Sequence, residues 1–259
     1  MQAVPEKLTR LETSPLLPLK KTSPETPRPR LKIVGAQQTG VEVADLSRSS
    51  ASIWGWRATA TLLLLGCGAF FIDLQVSDLL NRRHALQKIH RTLELAEPFG
   101  DAAGVILVAA VIAVLDPLRR RAIPSLLLIS FSAGLLADGV KISVGRLRPN
   151  GAELQHLTNV WQTFLGWFPG LHAGWGNQSF PSAHTTVAWG LAMALVRLYP
   201  RGKWLFPILA GLVALQRVET GSHYLSDVLF GAAIGVGVAA LWFRNPLIQG
   251  SLQPLKHSN

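Results

Sequence analysis

Six segments after residue 50 are predominantly apolar, and their lengths approach what a bilayer crossing requires. A transmembrane helix needs about 20 such residues, and inside lipid only helices and closed barrels satisfy every backbone hydrogen bond. The segments, of which the second and fifth are short, are 54–74, 101–115, 122–140, 182–198, 204–216 and 224–243. Charged residues make up only 15% of the chain, against about 25% in soluble domains. The sequence therefore predicts an all-α integral membrane protein, a bundle of six transmembrane helices with interfacial helices.

The regions on either side of these segments differ from them in composition. Residues 1–50 are rich in Pro, Ser, Thr and basic residues and lack sustained apolar periodicity, which is typical of disorder. We therefore predict a disordered basic cytoplasmic tail at 1–50, a membrane domain at 51–245 and a short cytoplasmic C-terminal tail at 246–259. The net charge of +10 does not indicate nucleic-acid binding, because the cations are spread over the tail, the loops and three clusters. Attraction to anionic lipids explains the first two groups.

The basic loops predict how the helices are oriented. Three arginines at 119–121, Arg201 with Lys203, and Arg244 all fall on the same side as the tail. Lysine and arginine are enriched on the cytoplasmic side of membrane proteins. The loop after the first segment carries further cations on an amphipathic pattern, which predicts a helix lying on the outer interface. The compact six-helix plan favours a multi-pass protein of a bacterial inner membrane.

Three polar clusters lie at the ends of the apolar segments. They read Lys141-Ile-Ser-Val-Gly-Arg146-Leu-Arg148-Pro149, Phe180-Pro181-Ser182-Ala183-His184 and Arg217-Val-Glu-Thr-Gly-Ser-His223-Tyr-Leu-Ser-Asp227. With the predicted orientation, all three fall on the outer, extracytoplasmic side. Ionisable residues within or beside membrane helices are costly, so their placement indicates a functional site.

The cations and the helix start in these clusters are suited to binding a phosphate group. Lys141 and Arg148 are seven residues apart, so they share a face if the helix continues. Arg217 adds a third cation, and arginine matches phosphate oxygens with paired N–H groups. Ser182 is a natural N-cap, and the Ala183 N–H at the helix start points towards a bound anion. We predict that these five residues bind phosphate.

The histidines and the carboxylate supply the groups for nucleophilic and acid catalysis. His223 and Asp227 are four residues apart, so a carboxylate hydrogen bond would fix the imidazole tautomer and leave the other nitrogen free to attack phosphorus. His184 has the right titration range to protonate a leaving oxygen. The three cations oppose a divalent metal, so we expect metal-independent chemistry and no cofactor. For Arg146, a position facing lipid headgroups stays open.

These clusters resemble the tripartite signature of the type 2 phosphatidic acid phosphatase (PAP2) superfamily, K-x6-R-P, P-S-G-H and S-R-x5-H-x3-D. Residues 141–149 match the first motif fully, while Ala183 replaces Gly in the second and Gln216 replaces Ser in the third. Ala keeps the backbone N–H and Gln keeps a donor, so both changes affect the phosphate cradle and leave the nucleophile unchanged. The resemblance implies a six-helix bundle of PAP2 type over 51–245.

The same resemblance implies a role for each matching residue. His223 is the nucleophile that forms a phosphohistidine, Asp227 orients it, and His184 is the acid for the leaving group. The phosphate cradle comprises Lys141, Arg148, Ser182, Ala183 through its N–H, and Arg217.

The expected function is a membrane phosphatase that hydrolyses a phosphomonoester or pyrophosphate on a lipid at the outer leaflet. Two alternatives stay open: phosphotransfer from the same site to an acceptor other than water, and transport of phosphate-bearing lipids. Transport is disfavoured, because the sequence has no clear internal repeat. The expected partners are a lipid phosphate and membrane lipids, not nucleic acid. The sequence predicts neither the lipid nor the oligomeric state.

The segment between the first two clusters has two interpretations. Trp161, Phe164, Leu165, Phe168 and Leu171 follow helical spacing, which predicts an amphipathic helix. That helix either packs on the domain at the interface or forms a lid along which a lipid chain slides.

Overall fold

The architecture is that of a computed structural model, which describes residues 54–83, 87–152, 156–168 and 177–253. The predicted disordered tail at 1–50 and the last six residues lie outside the described residues. In the described part, the helices are Trp54–Ala69 (α1), Asp73–Arg83 (α2), Gln87–Glu94 (α3), Ala102–Leu115 (α4), Ile123–Ser143 (α5), Ala183–Leu198 (α6), Leu205–Glu219 (α7), Leu225–Trp242 (α8) and Pro246–Leu252 (α9). Two short strands, Val144–Arg146 (β1) and Phe164–Trp167 (β2), form the one described sheet. The predicted helical class is confirmed.

Length and apolarity identify fewer membrane spans than the six predicted. Among the described residues, Pro117–Ser143 and Leu225–Trp242 are long and apolar enough to cross a bilayer. Two bent pairs pass the same test if each pair counts as one span: Trp54–Ala69 with Asp73–Leu80, bent by 75°, and His90–Gly100 with Ala102–Leu115, bent by 72°. The structure thus supports two to four spans. α6 and α7, with 16 and 15 residues, are shorter than a full crossing.

The first predicted segment is not one straight helix. α1 ends at Ala69, the chain bends, and α2 starts at Asp73. The bend places the Asp73 side chain in the protein interior, where it accepts hydrogen bonds from Arg146 and Ser226. The predicted interfacial helix corresponds to α2 and α3; the side chains of residues 81–89, which include most of its cations, lie outside the described ones.

α6 is the central helix of the bundle, and it packs against α5, α7 and α8. Glycines on α8 permit the closest approach: a Cβ at Gly231 would lie 2.6 Å from the Ser182 carbonyl oxygen, and one at Gly235 would overlap the Thr186 carbonyl oxygen. A side chain at either position would therefore push α8 away from the start of α6. The apolar core around the C-terminal half of α6 includes Leu191, Leu195 and Leu198.

The prediction of an amphipathic helix between the first two clusters is wrong for the residues that the structure describes there. Residues 160–163 form a 3-10 turn, and β2 then pairs antiparallel with β1, with Val144 opposite Trp167 and Arg146 opposite Phe164. Leu171 lies outside the described residues. Gly166 and Phe168 adopt positive φ values of 90° and 55°, which a continuous helix cannot accommodate.

Part of the predicted C-terminal tail is a packed helix. Asn245 caps α9 by accepting a hydrogen bond from the Leu247 N–H. Ile248 and Leu252 are buried, and Ser251 is hydrogen-bonded to Ser125 at the start of α5 over 2.6 Å. The remaining tail residues, 254–259, lie outside the described ones.

Candidate active site

Four helix ends bring the three polar clusters together. Lys141 lies in the last turn of α5, His184 in the first turn of α6, Arg217 in the last turn of α7, and His223 two residues before α8. Lys141, Arg217 and His223 all lie close enough to His184 to interact with it electrostatically. The backbone also joins the clusters, since the Ser182 N–H donates to the Asp227 carbonyl over 3.1 Å. The convergence predicted from the sequence is present.

The buried imidazole of His223 is held by a backbone carbonyl. Its Nδ1 lies 2.6 Å from the Ser179 carbonyl oxygen, and its exposed fraction is 1%. Because a carbonyl only accepts, Nδ1 carries the proton and Nε2 keeps its lone pair. Burial lowers the pKa of His223, while the nearby Asp227 charge raises it. The neutral ring has the tautomer that a nucleophile at Nε2 requires.

The predicted hydrogen bond between His223 and Asp227 is not formed. Asp227 Oδ2 lies 3.8 Å from His223 Nδ1, beyond hydrogen-bonding distance. Ser179 connects the two instead: its carbonyl accepts from His223, and its hydroxyl donates to Asp227 over 2.5 Å. The Tyr224 N–H also donates to Asp227, over 2.9 Å. Asp227 therefore acts on the imidazole through its charge and through the placement of Ser179.

Arg146 does not face lipid headgroups, which corrects the interpretation left open by the sequence. It is fully buried, and its Nη1 donates to Asp227 and, over 2.8 Å, to the Ser226 hydroxyl. Its Nη2 donates to Asp73 over 2.8 Å, and its Nε to Thr163 over 3.0 Å. We call Asp73, Arg146, Asp227 and Ser226 the buried ion network. Every Arg146 nitrogen has a partner, so none of its N–H groups is directed to a ligand alone.

Aromatic rings enclose the guanidinium of this network. The Arg146 Cζ lies 4.0 Å from the Tyr224 ring centroid, 4.8 Å from Phe164 and 5.3 Å from Phe70. A cation over an aromatic face is stabilised by the ring quadrupole, more strongly when it is desolvated. The β2 strand thus contributes Phe164 to the surroundings of the buried ion network.

The remaining cations have nitrogens that are not satisfied within the protein. Among the described residues, the Nε atoms of Arg148 and Arg217 are buried without a hydrogen-bond partner. Arg217 Nη1 donates to Glu97 over 2.7 Å, and buried Lys141 has its Nζ 3.9 Å from Asp138. A buried donor without a partner costs free energy, and a phosphate oxygen would satisfy it.

The start of α6 has the predicted N-cap. The Ser182 hydroxyl accepts from the Thr185 N–H over 3.5 Å and from the Thr185 hydroxyl over 3.0 Å. Ala183 is the first helical residue, so its N–H belongs to the first turn, whose donors lack helical acceptors. Ser182 thus has an established structural role at the edge of the site.

Glu97, Asp73 and Ser179 were missed by the sequence analysis. The Gln216 amide donates to Glu97 over 3.1 Å, next to the Arg217–Glu97 ion pair. Asp73 had a usable signal, because an acid at the end of an apolar segment is expensive unless it is paired. Ser179 and Glu97 had no comparable signal.

The arrangement suits anion chemistry more than metal binding. The described residues contain no group of three His, Cys, Asp or Glu side chains placed to hold a metal ion. His184, His223 and Asp227 are therefore not arranged as a ligand set. A neutral imidazole that interacts with Lys141 and Arg217 is instead suited to attack on a phosphate.

Comparisons with known proteins identify similar chains. Residues 122–249 match the family model of the PAP2 superfamily. The lipid A 1-phosphatase of Rhizobium etli is 36% identical over 103 residues, which are 40% of this chain and 41% of that protein. Lipid phosphate phosphatase 1 of Arabidopsis thaliana is 31% identical over 133 residues, covering 43% and 40% of the two chains. The match thus spans about two fifths of the length of these relatives.

Two solved structures share the fold. Aquifex aeolicus LpxE superposes with a TM-score of 0.50 and 19% identity, covering 68% of this chain and 97% of that one. The PAP2 type phosphatidylglycerolphosphate phosphatase of Bacillus subtilis superposes with a TM-score of 0.51 and 20% identity, covering 73% and 93%. At these identities the likeness establishes the fold alone.

Proposed function

Since this chain belongs to the PAP2 superfamily, we propose that it is an integral membrane lipid phosphatase that works through a phosphohistidine. The observation that carries the proposal is the hydrogen bond from His223 Nδ1 to the Ser179 carbonyl. It leaves the lone pair on Nε2 of a buried imidazole that interacts electrostatically with Lys141 and Arg217. A nucleophile and the positive charge that a phosphoryl group requires are thus close together.

The proposed reaction has two steps. His223 Nε2 attacks phosphorus, the bond from phosphorus to the lipid oxygen breaks, and His184 gives its proton to that oxygen. Water then attacks the phosphohistidine, His184 takes up the water proton, and inorganic phosphate leaves as Nε2 regains its lone pair. Lys141, Arg148 and Arg217, with the Ser182 and Ala183 end of α6, hold the phosphoryl oxygens. Three protein cations supply the charge, so the chemistry needs no metal ion.

The proposed topology is six crossings with the site on the extracytoplasmic face of a bacterial inner membrane. The opposite end of the bundle is tied together by the Tyr199 hydroxyl donating to Asp116 over 3.2 Å and by Arg119 lying 4.5 Å over the Tyr199 ring. The arginines at 119–121 and 201 belong to that end, as expected for a cytoplasmic surface. α6 and α7 complete their crossings with the turns at their termini.

Lipid phosphates are the substrate class we propose. The exposed aromatic side chains of the β1–β2 region, including Trp161, Trp167 and Phe168, lie near the site in sequence and suit contact with lipid at an interface. A cavity of about 220 Å³ is lined by Phe70 and Leu74 together with residues Asn159–Trp161. We propose this cavity as the entry for a lipid chain. Lipid A phosphates, phosphatidic acid, phosphatidylglycerol phosphate and undecaprenyl pyrophosphate are the candidates.

Phosphate release by the purified protein across this lipid panel tests the proposal. At least one lipid should be hydrolysed, and His223→Ala should abolish release while keeping the elution volume and unfolding temperature of the wild type. Full activity of His223→Ala would overturn the mechanism. Labelled phosphate that appears on an alcohol acceptor instead of in free phosphate would identify a phosphotransferase.

A further inference from the structure

A second cavity lies between α1, α6 and α8, at the far end of the bundle from the site. Its volume is about 680 Å³, within the range of ligand pockets. Most of its lining is apolar, with Trp189 and Met193 from α6 and Val236 and Ala240 from α8. The cavity is therefore shaped for a hydrocarbon ligand.

This cavity is separate from the proposed catalytic site. Arg197 lines it and lies thirteen residues after His184 on the same helix. At 1.5 Å per residue, the two side chains start about 20 Å apart along the α6 axis. A ligand here does not compete for the phosphate-binding cations.

Two arginines give the cavity a single sign of charge. Among the described residues, Arg57 and Arg197 are the charged ones in its lining, and no acidic residue accompanies them. The Arg197 guanidinium lies 5.0 Å over the Phe243 ring, and that of Arg57 lies 6.0 Å from the Trp54 ring. The aromatic contacts hold both cations beside the apolar lining. A ligand with an anionic group and a hydrocarbon chain would therefore match both the arginines and the apolar side chains of the cavity.

We propose that this cavity binds an anionic phospholipid of the cytoplasmic leaflet, with its phosphate at Arg57 and Arg197 and an acyl chain along Trp189 and Met193. Basic pockets between membrane helices on the cytoplasmic side are a known form of lipid recognition. The location follows from the proposed topology, which places the C-terminal end of α6 at the cytoplasmic surface.

The charge pattern disfavours other occupants. In a twofold symmetric dimer the same patch meets itself, which would bring four arginines together. Residues 1–53 carry more basic than acidic residues, so they do not complement the two arginines either. An anionic lipid is the partner whose charge is opposite.

Lipid retention measured by native mass spectrometry tests the proposal. The full chain is purified in detergent and equilibrated with equal amounts of phosphatidylglycerol and phosphatidylcholine. Phosphatidylglycerol is a phosphodiester, so its binding is read independently of phosphomonoester hydrolysis. We expect preferential retention of phosphatidylglycerol, and a loss of about fivefold for each arginine removed in Arg57→Gln and Arg197→Gln.

Two further variants separate charge from shape. Arg201→Gln removes an exposed cation at the same end of the bundle, outside the cavity lining, and should retain phosphatidylglycerol like the wild type. Ala58→Trp keeps both arginines but fills the cavity, and should lose retention. Wild-type elution volume and unfolding temperature show that each variant is folded, whatever the outcome for phosphatase activity.

Three results would overturn the proposal. These are equal retention of the two lipids by the wild type, unchanged selectivity in the Arg57→Gln/Arg197→Gln double variant, and a dimer that Ala58→Trp dissociates.

Discussion

Replacing Arg146 with Met is the most demanding test of the buried ion network. Met keeps a long apolar side chain beneath the rings of Tyr224 and Phe164 but removes the guanidinium. The Arg146 donors to Asp73 and Asp227 disappear, and both carboxylates are fully buried. The variant therefore leaves two buried carboxylates without their shared counter-ion, and one of them, Asp227, lies 3.8 Å from the proposed nucleophile.

The magnitude follows from the number of buried charges affected. Removing one partner of a buried ion pair costs about 3–5 kcal/mol, because the other charge stays desolvated. Arg146 has two carboxylate partners, so the loss should be near the upper end, about 5 kcal/mol. That is comparable to the whole stability of a marginal domain, about 5–15 kcal/mol. We expect Arg146→Met to unfold at much lower denaturant concentration.

Reversible unfolding in mixed micelles, followed by near-UV circular dichroism, gives the free energy of unfolding. Arg244→Met, which removes an exposed arginine after α8, is the matched control and should change it by less than about 0.5 kcal/mol. Asp73→Asn alone should destabilise the protein, because the new amide faces Arg146 with a donor. Asp73→Asn should destabilise the Arg146→Met variant less than it destabilises the wild type, and the two costs should differ by more than about 1 kcal/mol.

Activity reports on the same network if a folded fraction of Arg146→Met is recovered. Displacement of Asp227 would move Ser179 and hence His223, and a misplacement of about 1 Å costs roughly 100-fold in rate. The network would be refuted if Arg146→Met matched Arg244→Met in stability. Strictly additive effects of Asp73→Asn and Arg146→Met would also contradict the coupling of the two residues.

Three further predictions follow from particular contacts. Glu97→Gln should lower kcat/KM about fivefold in phosphate-release assays, because a partly buried ion pair that orients Arg217 contributes about 1 kcal/mol; an unchanged value would mean that Glu97 does not position the arginine. Gly235→Ala should destabilise the bundle by about 1–3 kcal/mol in the same unfolding assay, since its Cβ overlaps the α6 backbone, whereas Gly237→Ala, whose nearest neighbour atom is 3.4 Å away, should stay near the wild type. Burial lowers the pKa of His223 below its ordinary value of 6.5, so the nucleophile stays neutral at pH 6.5. On the acid side, kcat/KM measured from pH 4 to 8 should therefore fall only below pH 6.5, whereas a fall on the alkaline side belongs to His184, which must be protonated to act as the acid. An acid-side fall centred above pH 6.5 would contradict a buried neutral imidazole.

Composition and local pattern were sufficient to predict three of the helices closely. Predicted boundaries at 101–115, 182–198 and 224–243 lie within a few residues of α4, α6 and α8. These segments are predominantly apolar, and Ser182 and Asp101 cap helices as their residue types suggest. Apolar length is a local property, so the sequence carries it directly.

The aromatic segment shows where local spacing misleads. Trp161, Phe164 and Phe168 recur at three and four residues, which is also compatible with a turn followed by a strand. The strand is selected by pairing with β1 and by Phe164 packing under Arg146, and both are contacts across at least 17 residues of sequence. A helical period alone does not contain that information.

Motif spacing was sufficient to predict which residues converge at the site, but not their hydrogen-bond partners. Lys141, His184, Arg217 and His223 converge as predicted, because helix ends on one side of a bundle meet at one level. The partners of His223 and Arg146 could not be predicted, since Ser179 lies 44 residues from His223 and Asp73 lies 73 residues from Arg146. Such pairings depend on the α1–α2 bend and the loop before α6.

The pairing of each cation separates the arginine that stabilises the fold from the cations that can bind a ligand. Arg146 is matched by two buried carboxylates, so its charge stabilises the fold and holds Asp227 in place. Among the described residues, Arg148 and Arg217 each keep a buried Nε without a partner, and the Lys141 Nζ lies 3.9 Å from the exposed Asp138. A phosphate dianion would gain most from these three cations and least from Arg146. Arg146 and Arg148, two residues apart in the first motif, therefore have different proposed roles: Arg146 stabilises the fold, and Arg148 binds the phosphate. Arg148→Lys should weaken substrate binding more than it lowers the free energy of unfolding. Arg146→Lys should lower the free energy of unfolding more than it weakens substrate binding.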